Sequence, residues 1–186
     1  MSKNKNSNKK RSFHEELVLN QWMMSHFISV ELGTLKARLG EDRHEGIHDD
    51  GQTHFFYELQ TNLFDDLISL SDLRRYDLNI VKHWQEITHF RNQNESTVLN
   101  MKYFQYLSLL FTEIYLDKYF NQRQSMLDGL NQHMESYNKQ QDSEHQIQPF
   151  DADELNKLAF WNATGSGKTL LLHVNLKQYL HYFQSN

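Results

Sequence analysis

The stretch that decides the fold lies near the end of the chain and reads Ala159-Phe160-Trp161-Asn162-Ala163-Thr164-Gly165-Ser166-Gly167-Lys168-Thr169. Apolar residues lead into a turn that carries two glycines, and a Lys-Thr pair then opens an amphipathic run. This order predicts a strand, a tight loop and a helix, which is the local arrangement of a phosphate-binding loop.

The residue types in the loop suit the chemistry of a phosphate group. Gly165 and Gly167 allow a tight turn that brings backbone N–H groups close to phosphate oxygens. The helix that starts near Lys168 directs its positive dipole end to the same place. Lys168 would reach the β- and γ-phosphates of ATP, and Thr169 would place its hydroxyl on Mg²⁺. The predicted ATP and Mg²⁺ site consists of Thr164, Gly165, Ser166, Gly167, Lys168 and Thr169.

The loop departs from the full pattern G-x-x-x-x-G-K-[ST] at one position, because Asn162 stands where the first glycine belongs. The alternative interpretation is a glycine-rich turn that only caps a helix. The predicted strand before the turn and the predicted helix after it favour a phosphate loop.

A family resemblance rests on the same residues. The form Ala163-Thr164-Gly165-Ser166-Gly167-Lys168-Thr169 resembles the first motif of superfamily 2 helicases and translocases. The longer string from Asp153 to Asn175 resembles bacterial DEAD/DEAH-box proteins, and more narrowly those grouped with the restriction subunits of type III restriction enzymes. The stretch from Lys102 to Phe120 also resembles the N-terminal region of such proteins, so the resemblance covers roughly the last half of the chain.

The position of the loop limits what the resemblance implies. Only a short segment separates Lys168 from residue 186. Hydrolysis in this family also needs a carboxylate motif for Mg²⁺ and the attacking water, arginines for the transition state and, in helicases, a second lobe. We therefore expect an N-terminal fragment of an ATP-hydrolysing enzyme with little or no turnover by itself. A single strand cannot form a parallel sheet, so we expect residues 159–186 to be poorly supported in this chain.

The composition favours a helical fold. The 186 residues are 38% hydrophobic and 13% aromatic, and one proline with seven glycines favours long helices over turn-rich β-structure. A net charge of −5 argues against a wholly basic nucleic-acid module. The absence of cysteine excludes disulfides and Cys-based zinc sites and fits a cytoplasmic location. No apolar run is long enough to span a bilayer, so no membrane partner is expected.

The chain divides into four predicted regions. Residues 1–11 carry lysines and an arginine without any acid, which indicates a disordered basic arm. Residues 12–139 are predicted to form a helical domain, and residues 140–150 a polar linker. Residues 151–186 would supply the first strand, loop and helix of an incomplete RecA-like α/β lobe. The predicted fold class is therefore mainly α.

Apolar residues at helical spacing predict five helices in the N-terminal region. They cover residues 13–39, a stripe from Phe55 to Leu70, a stripe from Leu78 to Ile87, residues 99–120 and residues 126–137. The helix at 99–120 is apolar nearly all round, which is typical of a central helix in a bundle. Asp151 and Glu154 have the spacing to cap a further short helix.

Two weaker site hypotheses come from polar stretches. Residues 40–53 and His54 are rich in histidine and carboxylates, which can ligate Zn²⁺ or Mn²⁺, but their spacing matches no standard metal signature and favours a solvated loop. Gln146 and Gln148 lie upstream of the loop, where the resembled helicases place a glutamine that reads adenine. The alternative for both glutamines is ordinary linker polarity.

Two functions remain open at the level of sequence. The resemblance implies ATP-dependent movement on DNA in a restriction or defence system, with DNA and a modification or other restriction subunit as partners of the full-length protein. The alternative is a non-enzymatic helical interaction or regulatory module in which the loop is vestigial. Mg·ATP affinity that depends on Lys168 would separate the two.

Overall fold

The computed structural model describes residues 17–27, 32–61, 68–139, 141 and 145–185, and the predicted basic arm at 1–11 lies outside these ranges. The described chain is mainly helical and contains no sheet, which confirms the mainly α class. Its α-helices are α1 (Val18–Met24), α2 (Leu32–Leu39), α3 (His54–Gln60), α4 (Leu70–Asn94), α5 (Tyr103–Asn121), α6 (Arg123–Asn138) and α7 (Lys168–Ser185). Short 3-10 turns cover Asp42–His44 and Glu154–Asn156.

Helix α5 lies at the centre, as its all-round apolar pattern predicted. It packs against α2, α4, α6 and α7. Side chains on every side of it are buried, including Tyr106, Leu109, Leu110 and Ile114. Each fully buried side chain of this size contributes about 2 kcal/mol to folding by removal of apolar surface from water.

The single helix predicted for residues 13–39 is wrong, because the described part of it is broken after Met24 into α1 and α2. The Ser25 hydroxyl donates to the Trp22 carbonyl at 2.6 Å, and a ring nitrogen of His26 lies 2.8 Å from the same oxygen. The next amides bond to carbonyls three residues back, so the helix tightens and ends. Short polar side chains compete in this way with the helical hydrogen bonds, and residues 13–16 and 28–31 lie outside the described ranges.

The helix predictions at 78–87, 99–120 and 126–137 hold, with shifted boundaries. Helix α4 runs from Leu70 to Asn94 behind a Ser69 cap, so it extends beyond the predicted stripe from Leu78 to Ile87 at both ends. Helix α5 starts four residues later than predicted, and α6 contains all of the predicted helix 126–137. The stripe predicted from Phe55 to Leu70 is wrong as a single helix, because α3 ends at Gln60 and Leu70 begins α4; residues 62–67 lie outside the description.

The polar segment after α6 is tied to that helix by two asparagines. Asn138 exchanges a pair of hydrogen bonds with the backbone of Ile147, at 2.7 and 2.9 Å. Asn131 does the same with the backbone of Phe150, at 3.0 and 2.8 Å. Each amide side chain replaces the strand neighbour that an extended backbone otherwise needs. The segment that leads to the glycines is therefore fixed on the bundle.

The short helical turn predicted at Asp151 and Glu154 is present. The Glu154 amide donates to Asp151 Oδ1 at 3.0 Å, and the Asp151 amide donates to Glu154 Oε2 at 3.0 Å. This reciprocal pair is the geometry of a capping box. Leu155 within the turn is buried, and its carbonyl accepts a hydrogen bond from Tyr115 of α5 at 2.7 Å.

The predicted strand before the glycines is not formed in the described structure, where residues 157–163 carry no regular secondary structure. A strand needs a neighbour for its backbone groups, and the helices around this segment offer none. The helix after the glycines also differs from expectation. Instead of being poorly supported, α7 packs against α4 and α5 and buries Leu171, Val174, Gln178 and Tyr182.

Among the helices described here, none combines the length and the apolar character needed to cross a membrane.

Candidate phosphate-binding site

The glycine loop (residues 163–168) begins with a tight turn. The Ser166 amide donates to the Ala163 carbonyl at 3.2 Å, and Gly165, the third residue of the turn, has a φ of +80°. This is the type II pattern, in which the third position needs a positive φ and therefore favours glycine. Gly167 follows with a φ of +82° and leads directly into α7. The two glycines that the sequence singled out thus occupy positions that other residues adopt only with strain.

The N-terminus of α7 keeps its amides open. The first helical hydrogen bond runs from the Leu171 amide to the Gly167 carbonyl at 3.0 Å. Within the described ranges, no backbone carbonyl accepts from the amides of Lys168, Thr169 or Leu170. Gly167 precedes the helix and has no side chain with which to cap it. Open amides and the positive end of the helix dipole converge at this point, which is the usual basis of anion binding by a helix.

Lys168 lies across the loop that precedes it. Its ammonium nitrogen is 3.5 Å from the Asn162 carbonyl oxygen and 3.4 Å from the Ala163 carbonyl oxygen. Lys168 and Thr169 are both exposed in the first turn of α7. A flexible ammonium held by two long contacts can exchange them for a phosphate oxygen at little cost. The structure therefore brings the sequence-predicted loop residues together in one exposed loop and helix start.

Ser166 and Gln105 form the buried wall of the loop. Ser166 is only 9% exposed, and its hydroxyl, shielded from solvent, has no hydrogen-bond partner among the described residues. Gln105 Nε2, on α5, donates to the Ser166 carbonyl at 3.0 Å. Sequence reasoning missed Gln105 as part of the site. A glutamine near the start of an otherwise apolar helix was the available signal, because a buried amide is kept only where it finds partners.

Helix α7 is held in place by polar contacts at its inner face as well as by apolar packing. Gln178 Nε2 donates to the Leu109 carbonyl at 3.0 Å. The Tyr182 hydroxyl donates to Glu113 Oε2 at 2.7 Å, and Asn79 Nδ2 donates to Glu113 Oε1 at 2.8 Å. Burial of Glu113 raises the pKa of its carboxyl from 4.5 to about 7, although these hydrogen bonds oppose the rise. The far end of α7, the helix that follows the loop, therefore packs against a buried titratable group on α5.

The weaker site hypotheses gain no support from the geometry. In the ranges that the structure covers, no three histidine or carboxylate groups lie close enough to hold a metal ion, residues 40–54 included. Gln146 and Gln148 are exposed in the segment bound to α6. A surface groove of about 750 Å³ lies on α4 and α7 around Glu86 and Lys177, and its lining does not include the glycine loop.

No protein-family model matches this chain, and neither the curated proteins nor the solved structures contain a significant match to it.

Proposed function

We propose that this chain supplies the ATP-phosphate-binding loop of an ATP-dependent DNA helicase or translocase of a restriction or defence system. The observation that carries the proposal is the open N-terminus of α7, preceded by two glycines of positive φ and followed by Lys168 and Thr169. The assignment to DNA translocation rests on the resemblance of residues 163–169 to the first motif of superfamily 2 proteins. Mg²⁺ would bind with the nucleotide, and Thr169 would offer it a hydroxyl ligand.

The chemistry of the loop matches a phosphate tail better than a plain helix cap. A capping side chain accepts from one of the first amides of its helix, whereas this loop supplies no capping side chain and leaves the amides of Lys168, Thr169 and Leu170 open within the described structure. Lys168 adds a positive charge beside these amides without any carboxylate partner among its recorded contacts. Hydrogen bonds from charged donors to phosphate are about twice as strong as neutral ones.

The test is the binding of Mg·ATP and of Mg·tripolyphosphate to the purified 186-residue chain, with Lys168→Ala as the variant. Loss of one charge-assisted contact is worth about 1.5–3 kcal/mol, so we expect the affinity for both ligands to fall roughly 10- to 100-fold. Lys177→Ala is the matched control. It removes the same charge from the same helix, and Lys177 pairs with Glu86 away from the loop. Equal weakening by both substitutions would show only a net-charge effect and would contradict the proposal.

ATP hydrolysis by the same purified chain is a second test. Phosphoryl transfer depends on carboxylates and arginines that position water and stabilise charge, and the glycine loop contains neither. We expect Mg·ATP to bind without measurable turnover. An ATPase activity of this chain that Lys168→Ala abolishes would show that the missing groups lie within it.

One observation favours the alternative, a helical interaction or regulatory module with a vestigial loop. The outer face of α7 exposes a stripe of large apolar side chains at helical spacing, namely Leu172, Leu176, Tyr179, Leu180 and Phe183. A contiguous exposed apolar patch is typical of a surface that binds another protein. Under this alternative neither ATP nor tripolyphosphate binds, and substitution of Leu176 and Phe183 by serine reduces self-association or partner binding while Lys168→Ala has no effect.

A further inference from the structure

We propose that Gln105 is a positioning residue of the phosphate site, which fixes the Ser166–Gly167 peptide so that the Gly167 amide faces the ligand. The proposal rests on the proposed function, since it concerns how the same loop is prepared for phosphate. It gives a role in ligand binding to a side chain on α5, a helix separated from the loop by about sixty residues.

The Gln105 side chain is immobilised at both ends. Its Oε1 accepts from the Lys102 amide at 2.9 Å, and its Nε2 donates to the Ser166 carbonyl at 3.0 Å. The residue is only 8% exposed, so water does not compete effectively for either contact. One amide side chain therefore caps the start of α5 and fastens the loop to it.

The hydrogen bond to Ser166 dictates the direction of the next N–H group. In a trans peptide the C=O and the N–H point to opposite sides of the chain, and the chain contains no cis peptide in its described part. Because the Ser166 carbonyl points at Gln105 in the interior, the Gly167 N–H points away from Gln105. No acceptor is recorded for that N–H in the described residues.

A second donor beside the same contact is also open. In a helix extended by one residue, the Leu170 amide would donate to the Ser166 carbonyl four residues back. Gln105 occupies that carbonyl instead, and α7 makes its first bond one residue later, from Leu171 to Gly167. The φ of +82° at Gly167 prevents the helix from extending back to Ser166, so the amides of Gly167 and Leu170 are both open beside the carbonyl that Gln105 holds.

Two further features of the loop fit this arrangement. The Ser166 hydroxyl is buried without a partner in the described structure, which is unusual unless a ligand or water completes its bonding. A Cβ atom on residue 167 would stand 2.8 Å from Gln105 Nε2 and would displace that amide, while the φ of +82° favours glycine independently. The glycine loop and the Gln105 amide are therefore in close contact.

The experiment compares Gln105→Met with Gln178→Met in the full chain. Both glutamines are buried, and both donate to a backbone carbonyl across the α5–α7 contact, at 3.0 Å in each case. Methionine has a similar volume and removes the donor. We expect Gln105→Met to weaken Mg·ATP and Mg·tripolyphosphate binding at least tenfold, and Gln178→Met to leave the affinity of the folded protein within twofold of the original.

Gln105→Glu separates the two ends of the side chain. A carboxylate still accepts from the Lys102 amide but cannot donate to the Ser166 carbonyl. We expect this variant to lose binding as Gln105→Met does and to melt at a lower temperature than the original protein, because it buries a carboxylate against the Ser166 carbonyl oxygen. Amide NMR supplies a readout that general stability does not move: tripolyphosphate should shift the Gly167 N–H resonance in the original chain and in Gln178→Met, but not in either Gln105 variant.

The outcomes separate this proposal from the one it rests on. Lys168-dependent binding that persists in folded Gln105→Glu, with the Gly167 resonance still responding, would overturn the role of Gln105 and leave the phosphate site intact. Absence of binding by the original chain would overturn both. Binding lost in the Gln178 variant to the same extent would show that docking of α7, rather than Gln105, controls the loop.

Discussion

The chain contains two glycine turns that each lead into a helix, and they treat their backbone amides in opposite ways. The first glycine turn (residues 46–53) precedes α3 and has positive φ values at Gly46 (+108°) and Gly51 (+88°). The glycine loop (residues 163–168) leads into α7 and has positive φ values at Gly165 (+80°) and Gly167 (+82°). Both segments therefore carry two glycines of positive φ just before a helix.

The first glycine turn satisfies its own hydrogen bonds. The His48 amide donates to the Gln52 carbonyl at 2.7 Å, and the Gly51 amide donates to the His48 carbonyl at 2.9 Å. Thr53 then caps α3 by accepting from the Phe56 amide at 3.1 Å. In the glycine loop a glycine stands where Thr53 stands in the first, and the amides after it stay open. Glycines of positive φ therefore do not by themselves predict a ligand site, and the open donors after Gly167 are the feature that favours one in the glycine loop.

The largest effect is expected from breaking the closure of the first glycine turn with Thr53→Ala. Thr53 caps α3, and its hydroxyl and amide both donate to the buried carboxylate of Asp77, at 2.5 and 2.8 Å. Loss of the cap costs about 1 kcal/mol. Loss of one hydrogen bond to the buried carboxylate, which keeps the Tyr106 hydroxyl at 2.7 Å and the Thr53 amide as donors, costs about 2 kcal/mol more. Urea unfolding should therefore show a loss of about 3 kcal/mol, with tripolyphosphate affinity unchanged. Thr53→Ser should retain most of the stability, and a cost below about 1 kcal/mol for Thr53→Ala would show that the turn does not depend on this closure.

The next effect concerns the far end of α7, which holds the glycine loop in place. Glu113 has a folded pKa of about 7 against an ordinary 4.5, so its contribution to stability is complete below pH 4.5 and is lost as the pH rises through 7. Each pKa unit is worth 1.36 kcal/mol, which allows a loss of about 3 kcal/mol at most. The Glu113 carboxyl accepts hydrogen bonds from Tyr182 of α7 and Asn79 of α4, and Gln178 and the positive charge of Arg75 lie nearby.

Burial lowers the pKa of His26 to about 4, and this histidine makes stability rise with pH between 4 and 6.5. His26 contributes equally to the original chain and to Glu113→Gln, so its effect drops out of the difference between their unfolding free energies. We expect this difference to fall by about 2 kcal/mol from pH 5 to pH 8. A difference that stays flat across this range would show that Glu113 titrates at its ordinary pKa and that α7 is not held by a protonated carboxyl.

The smallest change in stability, and the sharpest comparison of the two turns, is expected from Gly46→Ala and Gly167→Ala. Alanine at a positive φ costs about 1–2 kcal/mol. Position 46 has only Asn100 Nδ2 near the new Cβ, at 3.8 Å, whereas position 167 meets Gln105 Nε2 at 2.8 Å. Both variants should lose similar stability by thermal unfolding, but only Gly167→Ala should lose Mg·tripolyphosphate binding. Equal binding of tripolyphosphate by the two variants would mean that the amides of the glycine loop are no more available to a ligand than those of the first glycine turn.

The sequence by itself determined the features that depend on neighbouring residues. The positive φ at Gly165 and Gly167, the start of a helix at Lys168 and the capping of a short turn by Asp151 and Glu154 all follow from residue type and spacing. The central place of α5 also followed, because a helix that is apolar on every side has to be surrounded.

Only the tertiary structure decided the rest, because it depends on contacts between residues far apart in the chain. The asparagine pairs that hold residues 147–150 and the docking of α7 on α4 and α5 depend on partners that periodicity does not reveal. Gln105 is the clearest case. Its type and position predicted a helical residue, and only the packing of α5 against α7 placed its amide on the Ser166 carbonyl.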